Sequence, residues 1–228
     1  MSIELINVSK TYATVGRRKT VFRNLSLTIP RGVNFGVIGP NGAGKSTLLQ
    51  LVSGKLYPDT GKIVRRMSVS WPVGYGGAAN PNLTGKLNCR FIARLYGKDP
   101  KEVTDFVADL SELGHYMDWP VKTYSSGMRS RINFALSMAI DFDLLLVDEG
   151  LGAGDTYFRD KAQAVIEQRK KSASMLLVTH NLTEVINMCD QVLVLGGKEP
   201  ELSTDVRARV KQYISDYSLM RQSGKTFV

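Results

Sequence analysis

The run GPNGAGKST, Gly39 to Thr47, is the stretch whose residue types and spacing most plainly specify chemistry. It contains G-x-x-x-x-G-K-S, follows the apolar stretch VNFGVIG and opens the helical stretch GKSTLLQLVSG, the context in which this pattern holds phosphate. Gly39, Gly42 and Gly44 let the backbone turn its N–H groups inward as an anion nest, with Pro40, Asn41 and Ala43 completing the loop. Lys45 adds a point charge for β- and γ-phosphates, Ser46 offers a hydroxyl to Mg²⁺, and Thr47 can reach the α-phosphate. Such a loop also needs an acid at the end of a neighbouring strand. LLLVDE supplies Asp148 for the Mg²⁺ shell and, next to it, Glu149 to polarise a water for attack on the γ-phosphate. A third stretch, VKTYSSGMRSR at 121–131, reads as a serine-capped helix N-terminus, an end that favours anions. Alone, it reads as an ordinary capped helix.

Elements that position these residues follow from periodicity. IELINV and VFRNLSLTI alternate as strands, and DTGKIVRRMSVS reads as a turn and then one strand. From Leu83 to about Ile140 the pattern is mostly helical, in GKLNCRFIARLYG, KEVTDFVADLSEL and GMRSRINFALSMAI. Strand and helix then alternate through LLLVDE, YFRDKAQAVIEQRKK, SMLLVTH, NLTEVINM and QVLVLG, and VRARVKQYISDYS closes the chain. This alternation argues for an α/β fold, a mostly parallel sheet covered on both faces, with the helical insert as a subdomain.

Composition bounds the rest. The chain has 228 residues, 43% hydrophobic and 22% charged, which fits one large soluble domain. No apolar run is long enough to cross a bilayer, and the start MSIELINVSKTY lacks the pattern of a signal peptide. Two distant cysteines, Cys89 and Cys189, suggest reduced thiols in the cytoplasm. The net charge of +9 is spread over short basic runs without a recognition motif, which favours an anionic membrane face over nucleic acid.

With the phosphate loop, Asp148 and Glu149 in place, YSSGM resembles the signature sequence LSGGQ of ATP-binding cassette (ABC) ATPases. Ser125 matches the signature serine and Gly127 its second glycine, while Ser126 and Met128 replace a glycine and the glutamine. The resemblance spans about Ile3 to about Leu195. It implies a P-loop NTPase with a mostly parallel central sheet, an antiparallel β subdomain and a helical subdomain at about 83–140. One nucleotide-binding domain would occupy 1–217, with a flexible tail at 218–228. It further implies a head-to-tail homodimer in which each signature faces the partner's phosphate loop across ATP. By the same resemblance Tyr12 stacks on adenine, His180 contacts the γ-phosphate, and Asp155 in GLGAGD is the acid of the inter-site loop. Gly152 and Gly154 depart from the usual S-A-L-D there.

A larger departure is that no glutamine occurs between Gln50 and Gln163, where the family carries one that reaches Mg²⁺ and the attacking water. Tyr75, or a neighbour in SWPVGYGGAANP, stands in its place, so a slow ATPase is expected. That loop, with Trp71 and Tyr75 able to serve as exposed anchors, is expected to face a membrane partner; the alternative is that both aromatics pack under the helical insert. Among branches, SWPVGYGG…LTGKLNCRFIARLYG with KTYSSGMRSRINFALSMAI is most similar to the capsular polysaccharide exporters of Gram-negative bacteria. This implies an ABC-2 type integral membrane permease as partner, further periplasmic and outer-membrane export proteins, and a peripheral place on the cytoplasmic face of the inner membrane. ATPases of O-antigen or teichoic-acid exporters, a soluble non-transport ABC ATPase and a non-hydrolysing binding module are the competing readings.

Overall fold

The computed structural model describes residues 1–73, 78–148 and 156–222. The chain divides into two compact units, residues 1–69 with 174–228 and residues 70–173.

The first unit contains an antiparallel sheet of β1 (Ser2–Thr14), β2 (Arg17–Pro30) and β4 (Thr60–Arg65), with β1 in the middle. Alternation in sequence becomes alternation in burial. Ile3 and Leu5 of β1 and Leu25, Leu27 and Ile29 of β2 are buried, as a two-residue side-chain period requires, and Val8 and Phe22 are buried three residues on from Leu5 and before Leu25, where the β1–β2 register shifts. Beside it, β3 (Phe35–Ile38), buried throughout, pairs in parallel with both β7 (Ser174–Val178) and β8 (Gln191–Val194). Gly36 lets helix α6 (Leu182–Met188) lie close on β3: a Cβ there would sit 2.5 Å from Val185 Cγ1. Helices α1 (Lys45–Ser53) and α7 (Val206–Gln222) complete this unit.

The second unit pairs β5 (Val69–Val73) with β6 (Leu144–Asp148) and packs α2 (Gly85–Leu95), α3 (Pro100–Ser111), α4 (Ser126–Met138) and α5 (Thr156–Arg169). Helix starts follow the capping rules. Thr84, Asp99 and Ser125 precede α2, α3 and α4, and their side chains accept first-turn N–H groups. The buried Asn88 ties down the segment before α2: Asn80 N donates to its Oδ1 at 2.7 Å, and its Nδ2 donates to Thr84 O at 3.0 Å. Both cysteines are buried, and burial pushes the Cys89 thiol up to about 12.

Two expectations are corrected here, and one strand is added. DTGKIVRRMSVS is not one strand but the end strand β4 and, after a break at 66–68, β5 of a different sheet. A short strand β9 (Glu201–Ser203) runs antiparallel to β8 where the sequence shows no alternation long enough to announce it. Helix α7 continues to Gln222, past the expected start of a tail at 218. No described helix is long and apolar enough to cross a membrane.

Candidate nucleotide-binding site

In the first unit, the phosphate loop joins the buried end of β3 to α1. The N-cap of α1 is Gly44 at φ 103°, and no side chain caps the helix. Its left-handed backbone is one that other residues adopt only under strain, and a Cβ would lie 2.4 Å from Val21 Cγ1. First-turn N–H groups of α1 therefore have no acceptor of their own side chains, and no acidic residue occupies that turn. Lys45 is only 7% exposed, and its Nζ donates to Gly39 O at 2.8 Å and Pro40 O at 3.1 Å. The lysine thus lies along the inside of the loop. Ser46 faces solvent, while Thr47 is buried and its Oγ1 is 3.3 Å from Tyr12 Oη.

Tyr12 stands on β1 opposite Lys19 of β2. Asp59 holds this end of the strand, accepting from Lys10 Nζ and from Thr11 N, each at 2.7 Å. Those bonds, Lys10 first and Thr11 next, keep the Asp59 carboxyl below its ordinary range. Lys19 Nζ donates to Gly42 O at 2.9 Å, so the β1–β2 hairpin touches the phosphate loop at two points. The sequence offered Lys19 only as one member of a basic run.

His180 follows β7 and is exposed. A local network fixes the chain around it: Asn181 N donates to Thr179 Oγ1, Thr179 Oγ1 donates to Glu184 Oε2, and Asn181 Oδ1 caps α6. His180 lines a cleft of about 590 Å³ with Gly39, Pro40 and Asn41. Tyr213, Ile214 and Tyr217 of α7, which nothing in the sequence marked, line the same cleft.

In the second unit, Ser125 is the exposed N-cap of α4 and its Oγ accepts Met128 N at 3.2 Å. Ser126 is exposed, and Gly127 and Met128 are half-buried. Among the described residues Gly127 has no packing need of glycine, because an added Cβ would meet only Ser125 Oγ, at 4.0 Å. Asp148 ends β6, half-buried, after four buried residues. Glu149, Asp155 and Tyr75 lie outside the described residues.

Trp71 does not stand in a loop. It lies within β5, its Nε1 donates to Ser137 Oγ at 2.6 Å, and its ring packs on Tyr96 and Phe142 at 6.0 and 5.3 Å. The expectation of a free aromatic anchor at Trp71 is corrected: the indole is held by α4 and two rings of its own unit.

Comparison with known proteins agrees with this geometry. The ABC transporter family matches residues 22–152. The polysialic acid transport ATP-binding protein KpsT of Escherichia coli is 46% identical over 84% of this chain and 87% of its own. The ATP-binding protein BexA of Haemophilus influenzae is 45% identical over 85% of this chain and 89% of its own. The dimeric, post-hydrolysis structure of the ATP-binding cassette MJ0796 bound to ADP and Pi superposes with a TM-score of 0.72. It shares 20% identity over 85% of this chain and 94% of that chain, and so speaks for the fold. A glycine-capped phosphate loop on an α/β scaffold, in a chain this similar to two such proteins, makes it a member of the ABC transporter family, an ATP-binding cassette ATPase.

Proposed function

We propose that this chain is the ATP-hydrolysing subunit of an exporter of capsular polysaccharide. It would work as a homodimer on an ABC-2 type integral membrane permease, peripheral to the cytoplasmic face of the inner membrane, in series with periplasmic and outer-membrane export proteins. The observation that carries hydrolysis is the uncapped N-terminus of α1, closed by a glycine and lined by Lys45. The polymer is proposed from similarity to relatives named as transport or export proteins for polysialic acid and capsule polysaccharide.

In this reading Lys45 leaves the Gly39 and Pro40 carbonyls for the β- and γ-phosphates, Tyr12 stacks on adenine and Thr47 meets the α-phosphate. Ser46 and Asp148 offer the oxygen donors that suit Mg²⁺, which when bound would neutralise phosphate charge. Glu149 orients the attacking water and His180 meets the γ-phosphate. Ser125, Ser126, Gly127 and Met128 face the partner's nucleotide. Ser125 Oγ can accept Met128 N–H and still donate its own hydrogen outward. Asp155 belongs to the loop between the two sites, and Tyr75 to the contact with the permease.

Glu149→Gln tests the hydrolytic role. It should retain ATP binding while turnover falls roughly a hundredfold or more, as for loss of a general base. Near-normal steady-state ATPase in this variant would remove Glu149 from that role.

A further inference from the structure

The outer corner of the phosphate loop is a tight turn. Ala43 N donates to Pro40 O at 3.2 Å, Asn41 keeps a negative φ, and Gly42 stands at φ 79°. This is the pattern of a type II turn, whose third residue is left-handed and therefore usually glycine. No backbone donor among the described residues reaches the Gly42 carbonyl. It accepts instead from Lys19 Nζ, of β2, at 2.9 Å. The approach is close: a Cβ on Gly42 would lie 3.0 Å from that ammonium.

One peptide plane is thereby held at both ends, its C=O by Lys19 and its N–H by Pro40 O. Pro40 O also accepts Lys45 Nζ at 3.1 Å, so two ammonium groups brace the same turn. Lys45 braces it from within the loop, Lys19 from the β1–β2 hairpin. In the proposed site the inner brace has a second task, since Lys45 must also serve the phosphates. The outer brace has none that the structure shows. Lys19 is exposed and makes no ion pair among the described residues. Glycine adopts either sign of φ with similar ease, so a turn at Gly42 without its outer brace has alternatives that aim the loop's N–H groups elsewhere. Lys19 also stands directly opposite Tyr12 in the β1–β2 register, and directly opposed residues of an antiparallel pair share a face. A single rung of the hairpin thus reaches both ends of the loop, Gly42 through Lys19 and Thr47 through Tyr12.

We propose that Lys19 is a positioning residue of the nucleotide site. Its ammonium fixes the Gly42–Ala43 peptide before nucleotide arrives, so that the loop is already shaped for a β-phosphate and binding carries less ordering cost. The inference rests on the reading of Gly39–Thr47 as the ATP site. It requires that losing Lys19 harms nucleotides that extend to the outer corner of the loop and spares those that end at the α-phosphate, which Thr47 meets.

The test is titration of the full chain with fluorescent trinitrophenyl analogues of ATP, ADP and AMP, followed by steady-state ATPase. Lys19→Met keeps the length of the side chain and removes the donor. The ATP and ADP analogues should weaken by a common factor, roughly fivefold to tenfold, as for a lost hydrogen bond from a charged group. The AMP analogue should bind as to the parent. KM for ATP should rise by the same factor with kcat within about twofold of the parent, because the reacting groups are untouched. Lys19→Arg, which can still donate to the carbonyl, should recover most of the loss. Parental affinity for the ATP analogue in Lys19→Met overturns the proposal. So does an equal loss for all three analogues, which would make Lys19 a strut of the hairpin and not of the loop, and this ratio decides even if the variant melts earlier. A fall in kcat at parental KM overturns it as well, since Lys19 would then act in the chemical step. Failure of the parent chain to bind the ATP analogue would remove the reading of the loop as the ATP site, and this proposal with it.

Discussion

Helix α1 begins on a glycine and helix α4 on a serine, and the two starts have opposite relations to their own chain. At α1 the chain demands the glycine: Gly44 is left-handed, and Val21 and Phe22 crowd the place of its Cβ. No side chain caps that helix, so its N–H groups are offered outward by the fold of the loop itself. At α4 the cap is made by Ser125, and among the described residues nothing demands a glycine at 127. Packing of the same chain explains the first start and leaves the second unexplained. A residue whose small size serves nothing inside its own chain is the expected mark of a surface that another molecule approaches closely. In the proposed dimer that molecule is the nucleotide on the partner's phosphate loop.

The largest effects separate the two ends outright. Gly44→Ala forces a side chain into a left-handed position, at a cost of roughly 1–3 kcal/mol before the clash with Val21 is counted. Nucleotide affinity of the isolated chain should fall at least tenfold, which equilibrium binding of a fluorescent ATP analogue would report. Gly127→Ala should behave oppositely. A helical Gly replaced by Ala stabilises by up to about 1 kcal/mol, so its unfolding midpoint should hold or rise and its own nucleotide affinity should stay. Turnover at saturating ATP should nevertheless fall severalfold. Unchanged turnover would mean that nothing approaches this glycine, and the comparison would collapse.

A mixing experiment sharpens the same contrast. Ser125→Arg and Lys45→Ala homodimers should both be inactive. In a dimer of one subunit of each kind, both defects fall on a single ATP site and the other site is whole, so part of the ATPase should return. A doubly substituted subunit mixed with the parent places one defect on each site and should restore none. The reverse pattern, ATPase in the second mixed dimer and none in the first, would mean that the signature acts within its own chain.

Ser125→Ala is milder, because it removes only the capping oxygen. Loss of such a cap costs about 1 kcal/mol, readable as a lower urea midpoint, and the hydroxyl offered to phosphate goes with it. A variant with the lost stability but undiminished turnover would leave Ser125 a cap and nothing more.

The smallest effect concerns the far end of α4. Arg169 of α5 donates to Met138 O there and to Asp141, which also accepts from Lys98 Nζ at 2.5 Å. The Lys98 bond, then the Arg169 bond, hold the Asp141 carboxyl below its usual range. A carboxyl so depressed adds stability above its unfolded value, and that stability is lost as pH falls through the folded one. The Asp141 side chain is 60% exposed, so solvent screening keeps the contribution to a few tenths of a kcal/mol, on the order of 0.5 at most. Hydrogen exchange should show the C-terminal turn of α4 opening more readily as pH drops below that of the ordinary carboxylate, with α1 unaffected. Asp141→Asn should remove the difference.

Much of the site was legible because its chemistry depends on short-range spacing. Gly39 to Thr47 must be contiguous for one loop to surround a phosphate, and Ser125 caps a helix three residues ahead, so both could be read in order along the chain. Lys19 and the α7 wall of the His180 cleft were not legible, since they reach the loop from 23 residues before Gly42 and from the end of the fold. Trp71 was misplaced for a related reason: glycines just after it suggested a loop, while the partners that hold it, Ser137, Tyr96 and Phe142, are distant in sequence.

What the sequence determined by itself was therefore most of the order of strands and helices, the phosphate loop and the serine-capped start of α4. These depend on side-chain period, backbone freedom and neighbours within a few residues. Tertiary structure alone decided which apolar surfaces are covered. Helix α2 is apolar on two sides, through Cys89, Ile92 and Ala93 and through Leu87, Phe91 and Leu95, and a helical period cannot rank one against the other. Packing against the rest of its unit covers the first set, and the second stays exposed beside Arg90 and Arg94, because burial is settled by whatever else the chain brings to that face.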